Sequence, residues 1–280
     1  MIDDLYQLLA CPRCGTSPAP GSDECPGCGR SVTAQNGGLD LLDDDLRSAA
    51  DRFAAQYQRL RMREGWADSD GREDPEGGRR PWKGRLDSMS DVADIFERAA
   101  SREARPVIGD VGSGGGWAAR RIRAADVLAF DLLDVRPNPA AALTIRADMR
   151  RLPVRSATLD GVVYAASLHY VPLAEALAEA ARVLRPHGLL VAVDSPIYED
   201  ARAQAGAIER TARYYANAGY PDLAAHYHPI DARHLRSALA DSGFDIERLA
   251  YHGSTSSSWR RFLPRAPSSM VVARRSAATG

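Results

Sequence analysis

A chain of 280 residues with 45% hydrophobic content is long enough to bury one full α/β core and to carry a small appended module. Its formal net charge of -1 and pI near 6.6 exclude the global basic field that drives nonspecific phosphate binding. The acidic start at Met1-Ile2-Asp3-Asp4 does not read as a secretion signal, and no stretch is long and apolar enough to span a bilayer, so the expectation is a cytoplasmic protein with no membrane partner. All four cysteines lie within the first 28 residues, which in a reducing compartment points to metal rather than disulfides.

Residues 1–42 have too few large apolar side chains for a core of their own and need a staple. Cys11-Pro12-Arg13-Cys14-Gly15 and Cys25-Pro26-Gly27-Cys28-Gly29 repeat one knuckle, each presenting two thiolates from a tight turn. Four thiolates at Cys11, Cys14, Cys25 and Cys28 suit a tetrahedral, structural Zn2+; the alternative is two disulfides or idle thiols. With its flanks, from Leu8-Leu9-Ala10 to Gly37-Gly38-Leu39-Asp40-Leu41-Leu42, the segment resembles the small zinc-ribbon family that activates RNA and protein methyltransferases. It is also similar to the ribbon fused to bacterial rRNA guanine methyltransferases, though those usually place histidine where this chain has Cys28.

From Asp43 to about Tyr57 an acidic start precedes Leu46, Ala49, Ala50, Phe53, Ala54 and Tyr57 at helical spacing, which predicts an amphipathic helix leading away from the ribbon. Residues 65–85, rich in Gly, Pro and charge, read as a mobile loop. Beyond them, short apolar runs at 107–111, 127–130, 142–145, 160–165, 188–194, 245–252 and 269–274 are strand candidates. The first five alternate with helical stretches and the last two read as a closing antiparallel pair. The expectation is a doubly wound, mostly parallel seven-stranded sheet. The chain thus divides into a ribbon over 1–42, a helical linker and loop over 43–105, and an α/β domain over 106–280.

Val107-Ile108-Gly109-Asp110-Val111-Gly112-Ser113-Gly114-Gly115-Gly116 is a strand running into a glycine turn ahead of a helical stretch, Trp117 to Arg123. A dinucleotide fingerprint would want a third glycine where Trp117 stands, and Asp110 would repel a pyrophosphate. A cationic ligand fits better. Val127-Leu128-Ala129-Phe130-Asp131 ends the next strand on a carboxylate suited to ribose hydroxyls; Ala147-Asp148-Met149, Leu159-Asp160-Gly161-Val162-Val163 and Ala181-Arg182-Val183-Leu184-Arg185-Pro186-His187-Gly188 follow. Over about 106–194 these motifs resemble the class I S-adenosylmethionine-dependent methyltransferase family. The resemblance implies that Gly112, Gly114 and Gly116 pass under the methionine moiety while Asp110 orders that turn. It further implies that Asp131 holds the ribose, that Asp148 and the Met149 amide meet the adenine, and that Ala165 and Ala166 line the methionine end. His187 stands where the family usually has glycine.

On the substrate side, His169 in Ser167-Leu168-His169-Tyr170 follows the fourth strand and is a candidate general base for a hydroxyl or amine acceptor. The insertion from Tyr198 to Ile230 carries Arg213-Tyr214-Tyr215, Tyr220-Pro221 and His226-Tyr227-His228-Pro229, an aromatic lid with His226 and His228 as further candidates. Three functions follow in order. The first is methylation of a small-molecule acceptor, a metabolite or natural product. The second is RNA methylation, with the ribbon and the basic segment Arg79-Arg80-Pro81-Trp82-Lys83-Gly84-Arg85 gripping the target. The third is a non-enzymatic scaffold whose ribbon docks a partner protein.

Overall fold

The computed structural model describes residues 2–68, 82–99, 105–134, 136, 139–251 and 269–277. In chain order these form α1 (Ile2–Gln7), β1 (Leu39–Asp40), α2 (Arg47–Glu64), α3 (Trp82–Ala99), β2 (Val107–Val111), β3 (Asp126–Asp131), β4 (Leu143–Arg146), β5 (Leu159–Ala165), α4 (Leu173–Val183), β6 (Leu184–Val193), β7 (Ile197–Tyr198), α5 (Ala201–Asn217), β8 (Ile230–Asp231), α6 (Ala232–Asp241), β9 (Phe244–Ala250) and β10 (Met270–Arg275).

One sheet runs in the order β1-β4-β3-β2-β5-β6-β10-β9. Strands β1 to β6 pair in parallel, and β10 and β9 close the sheet antiparallel. The central strands are apolar on both faces because helices cover both. Successive residues therefore alternate between two cores: Val162, Tyr164, Leu190 and Ala192 join α4 and α6, whereas Val163, Val191 and Val193 join α3.

The sheet has one strand more than expected, because the cysteine module adds its own. Leu39 and Asp40 pair in parallel with Ile145 and Arg146, and Leu9 bridges Val154 on the same side. The Ala10 amide donates to the Pro153 carbonyl at 3.0 Å, and Leu5, Leu9, Val32 and Leu41 pack into one core with Phe130, Ile145, Leu152 and Val154. An exposed edge at β4 is thereby covered.

The 43–105 stretch contributes two packed helices. α2 begins later than expected and runs on to Gly65, whose φ of 80° and amide bonds to Arg61 and Met62 form a left-handed stop. α3 lies on the sheet, its Phe96 so close to Gly161 that an added Cβ would fall 2.4 Å from the ring. Of the 65–85 loop, residues 69–81 lie outside the described residues, as do Arg79, Arg80 and Pro81 of the basic segment; Trp82 to Arg85 form the first turn of α3. The strand expected over 245–252 ends at Ala250, with His252 outside the described residues, and Trp117–Arg120 is a single 3-10 turn rather than a longer helix. Among the described residues no helix is long and apolar enough to cross a membrane.

Candidate functional site

The chain reverses its direction of travel across the sheet between β2 and β5, and loops following these two strands open a crevice at their carboxyl ends, the usual ligand position in such sheets. The Gly112 and Ser113 amides both donate to the Phe130 carbonyl, at 2.8 and 2.9 Å. Gly112 has a φ of 72°, and a Cβ there would sit 2.5 Å from the Ser167 Cβ and 3.3 Å from the Met149 Cε. Only a bare backbone lets the loops after β2, β4 and β5 meet at this point. The Ser167 hydroxyl closes the junction by donating to the Val111 carbonyl. Ala166 takes a left-handed φ of 57° beside it, a conformation that costs a non-glycine residue free energy and is often kept at functional loops.

Asp131 ends β3 with its carboxylate fastened to backbone: Gly114 donates to Oδ2 at 2.7 Å and Leu133 to Oδ1 at 2.8 Å. Burial raises its pKa above the ordinary aspartate value, and the amides of Leu133, Gly114 and Leu132 oppose that rise. Asp148 is nearly buried and holds the Arg150 side chain through both oxygens, at 2.9 and 2.6 Å.

These loops line a cavity of about 340 Å³, within the usual range for small-molecule sites. Gly112, Gly114, Asp131, Asp148, Met149, Ala165 and Ala166 all reach its wall. Asp110 and Gly116 do not: Asp110 is fully buried within β2, and Gly116 precedes the 3-10 turn with a φ of 69°. Both sit behind the surface that a ligand would touch.

The histidines part company. His226 and His228 stand on the cavity wall, His226 with its ring 4.6 Å from that of Phe53. His169 does not line the cavity. Residues Leu168–Tyr170 form one 3-10 turn, so consecutive side chains splay by about 120° and Tyr170 takes the cavity-facing position. The His169 ring is buried between Tyr170 and Tyr227, with Nδ1 3.3 Å from the Ser195 hydroxyl. Burial pulls its pKa down to about 3, helped by the charges of Arg85, Arg61 and His228, so the ring stays neutral at working pH. The pKa values of His226 and His228 are also lowered, chiefly by burial.

Part of the cavity wall comes from elements that the sequence placed elsewhere. Leu46, Phe53 and Tyr57, at and within α2, form one side, and Arg85 of α3 stands on another. The Arg85 guanidinium stacks over Trp66 and Trp82, 4.1 and 5.5 Å from their ring centres. Tyr57 and Tyr170 join hydroxyls at 3.0 Å, and Arg61 donates to the Tyr170 hydroxyl at 2.8 Å.

The cysteines converge in the ribbon. Each knuckle repeats the same backbone bonds: Cys11 donates to Thr16 and Gly15 to Cys11, just as Cys25 donates to Arg30 and Gly29 to Cys25, all within 2.8–2.9 Å. The four Sγ atoms lie within 4.8 Å of one another, with Cys11 to Cys28 at 3.9 Å and Cys14 to Cys25 at 3.6 Å. These are not disulfide distances, whereas a tetrahedron of zinc–sulfur bonds has edges of roughly 3.8 Å. The four donors fit a tetrahedral zinc.

Residues 109–192 match the family model described as a methyltransferase domain. The match spans β2 to β6, the strands that build the cavity. No curated protein matches the chain. Among solved structures, a magnesium protoporphyrin IX methyltransferase from Synechocystis PCC 6803 with bound S-adenosylhomocysteine is 16% identical at a TM-score of 0.52, covering 82% of this chain and 99% of its own. A proposed sarcosine dimethylglycine methyltransferase from Galdieria sulphuraria is 13% identical at a TM-score of 0.52, covering 78% of this chain and 98% of its own. These likenesses show the fold, and with the domain match they support an S-adenosylmethionine-dependent methyltransferase.

Proposed function

We propose that this methyltransferase transfers a methyl group from S-adenosylmethionine to a small metabolite or natural product, with a structural zinc in the ribbon. In this reading residues 1–42 are the metal module, 43–105 supply α2 and α3 as walls, and 106–280 bind the cofactor. The observation that carries the substrate class is the cavity's outer side. Phe53, Tyr57, Tyr170, His226 and His228 bound it with aromatic rings, as a small acceptor requires, where RNA would need an open basic groove. The ribbon arginines Arg13 and Arg30 are moreover turned onto Asp44. The experiment is to incubate the protein with methyl-labelled S-adenosylmethionine and either a small-molecule extract or total RNA. Label is expected in the small-molecule fraction; label in RNA alone supports the second reading, with the ribbon gripping nucleic acid.

Within the cavity, Asp131 accepts from the ribose hydroxyls, Asp148 and the Met149 amide meet the adenine edge, and Gly112 and Gly114 leave room for the methionine chain. Transfer is an in-line displacement in which the acceptor–carbon bond forms as the carbon–sulfur bond breaks and a neutral thioether leaves, so positioning supplies much of the rate. Replacing Asp131 with alanine is expected to weaken S-adenosylhomocysteine binding by about 2 kcal/mol, roughly thirtyfold, through the loss of charge-assisted hydrogen bonds. Unchanged affinity in a folded variant removes the ribose role.

Arg85 meets the cofactor's one negative group in this reading, the carboxylate of its methionine half. Arg85→Gln is expected to weaken S-adenosylhomocysteine about tenfold or more while leaving methylthioadenosine, which lacks that carboxylate, within about twofold. Equal losses for both ligands would reduce Arg85 to a packing role over Trp66 and Trp82.

A further inference from the structure

Between the ribbon, α2 and β4 lies a cluster of charges that the cofactor reading does not use. Asp40 on β1 is 8% exposed and sits at its centre. Its two oxygens accept from both terminal nitrogens of Arg47, the first residue of α2, at 2.5 and 3.1 Å, and Oδ1 also accepts from the Leu42 amide at 3.2 Å. Arg146 of β4 stands 3.8 Å from Asp40 and Arg30 of the second knuckle 4.0 Å, so guanidiniums from three separate elements converge on one carboxylate. Arg146 also pairs with Asp51, one turn further along α2. Arg13 of the first knuckle and Arg30 reach Asp44, just ahead of the helix, at 2.5 and 3.7 Å.

α2 has little else to hold its beginning. Of its residues only Ala50 and Leu60 are buried, and its packing on Tyr215 and Leu223 of the insertion centres on Leu60 and reaches back only to Phe53 and Tyr57, leaving residues 47–52 outside that cluster. Yet the first half is the part that walls the cavity: Leu46, Ala49, Ala50, Phe53 and Tyr57 recur at helical spacing along that wall. One face of these turns meets the ligand space, and the other is tied by charge to the cysteine module.

We propose that Asp40 is a positioning residue for the cofactor cavity, holding the first half of α2 against it, so that the metal-folded ribbon sets ligand affinity without touching the ligand. This rests on the reading that the cavity takes S-adenosylmethionine. Removing the Asp40 charge leaves nearly buried Arg30 and Arg146 with only Asp44 and Asp51 as carboxylate partners, and leaves Arg47 with only Asp44, which lies just ahead of its own helix, so the helix start loses its direct tie to β1.

The test uses full-length, zinc-loaded protein and two readouts: S-adenosylhomocysteine affinity by calorimetry and amide hydrogen exchange. Asp40→Asn, and independently Arg47→Met, are expected to weaken binding about tenfold, a usual size for coupling between sites, and to speed exchange over residues 46–57. Zinc content and protection of β2 and β5 stay at parental values. Asp134→Asn is the control. Asp134 ties the ribbon to the domain through the Gln35 and Asn36 amides at 3.0 and 3.3 Å, with no hydrogen bond or ion pair to α2 among the described residues, and this variant is expected to keep parental affinity. Parental affinity and exchange in both Asp40→Asn and Arg47→Met overturn the proposal, as does an equal loss in Asp134→Asn, which would signify ribbon docking in general. If the parent itself binds no S-adenosylhomocysteine, the cofactor reading fails, and exchange over residues 46–57 alone still decides whether Asp40 anchors the helix.

Discussion

Replacing Cys25 with serine is expected to empty the zinc site and to lower the thermal midpoint by about 10 °C or more, at roughly 2–4 °C per kcal/mol for a chain this long. Residues 1–42 carry few large apolar side chains, so in the zinc reading the free energy of metal binding is folding free energy for this segment. Cys25 is 1% exposed and lies in the same core cluster as Leu9, Val32 and Leu41, which pack on Phe130 and Ile145. Losing the knuckle therefore also uncovers the β4 edge and the apolar surface beneath it. Loss of a metal belongs to the short list of changes worth more than about 4 kcal/mol. Elemental analysis of protein purified without added metal, with differential scanning calorimetry on parent and variant, checks both halves. A metal-free parent whose four thiols all react at once with a thiol reagent would refute the zinc site.

The second large effect concerns the acceptor proton. His226→Ala is expected to lower turnover by about a hundredfold to ten-thousandfold on a hydroxyl acceptor, the range of general-base help, while S-adenosylhomocysteine affinity stays within about twofold. His226 is on the cavity wall, and burial, followed by the charges of Arg150 and His228, lowers its pKa below the usual 6.5. The sign follows. A base works when deprotonated, so turnover is expected to be level near pH 7 and to fall only as pH drops through a value below 6.5. His228 shares the direction of shift and the wall, and is the variant to make next. His169→Ala behaves differently: deleting a buried ring lowers the thermal midpoint, and any activity lost follows stability. A His169→Ala protein with parental stability and strongly reduced turnover, beside an unimpaired His226→Ala, would reverse this assignment.

What was legible beforehand follows the physics of each element. β2, β3 and β5 could be read within a residue because strands covered on both faces are near-continuous apolar runs, Asp110 and Asp160 notwithstanding. The paired knuckles were equally plain, since their spacing is set by one local geometry repeated twice. α3 was hidden among Gly84, Asp87, Ser88, Ser90 and Asp91, although Trp82, Leu86, Met89, Val92 and Phe96 recur at helical spacing and were there to be counted. β1 has two residues and no signal of its own; only the open edge of β4 makes it a strand. His169 misses the cavity wall through the rotation of a single 3-10 turn that puts Tyr170 there, which no residue pattern encodes. Arg85 and Phe53 reach the cavity from helices remote in sequence, so their place follows from packing alone.

In the proposed reading the cavity between the loops after β2, β3, β4 and β5 binds S-adenosylmethionine. Calorimetric titration of S-adenosylmethionine into the zinc-loaded protein tests it most directly, with Asp131→Ala in parallel. One site per chain is expected, competed by S-adenosylhomocysteine and weakened about thirtyfold in the variant. No binding at millimolar cofactor, or the same affinity in both proteins, would contradict the account.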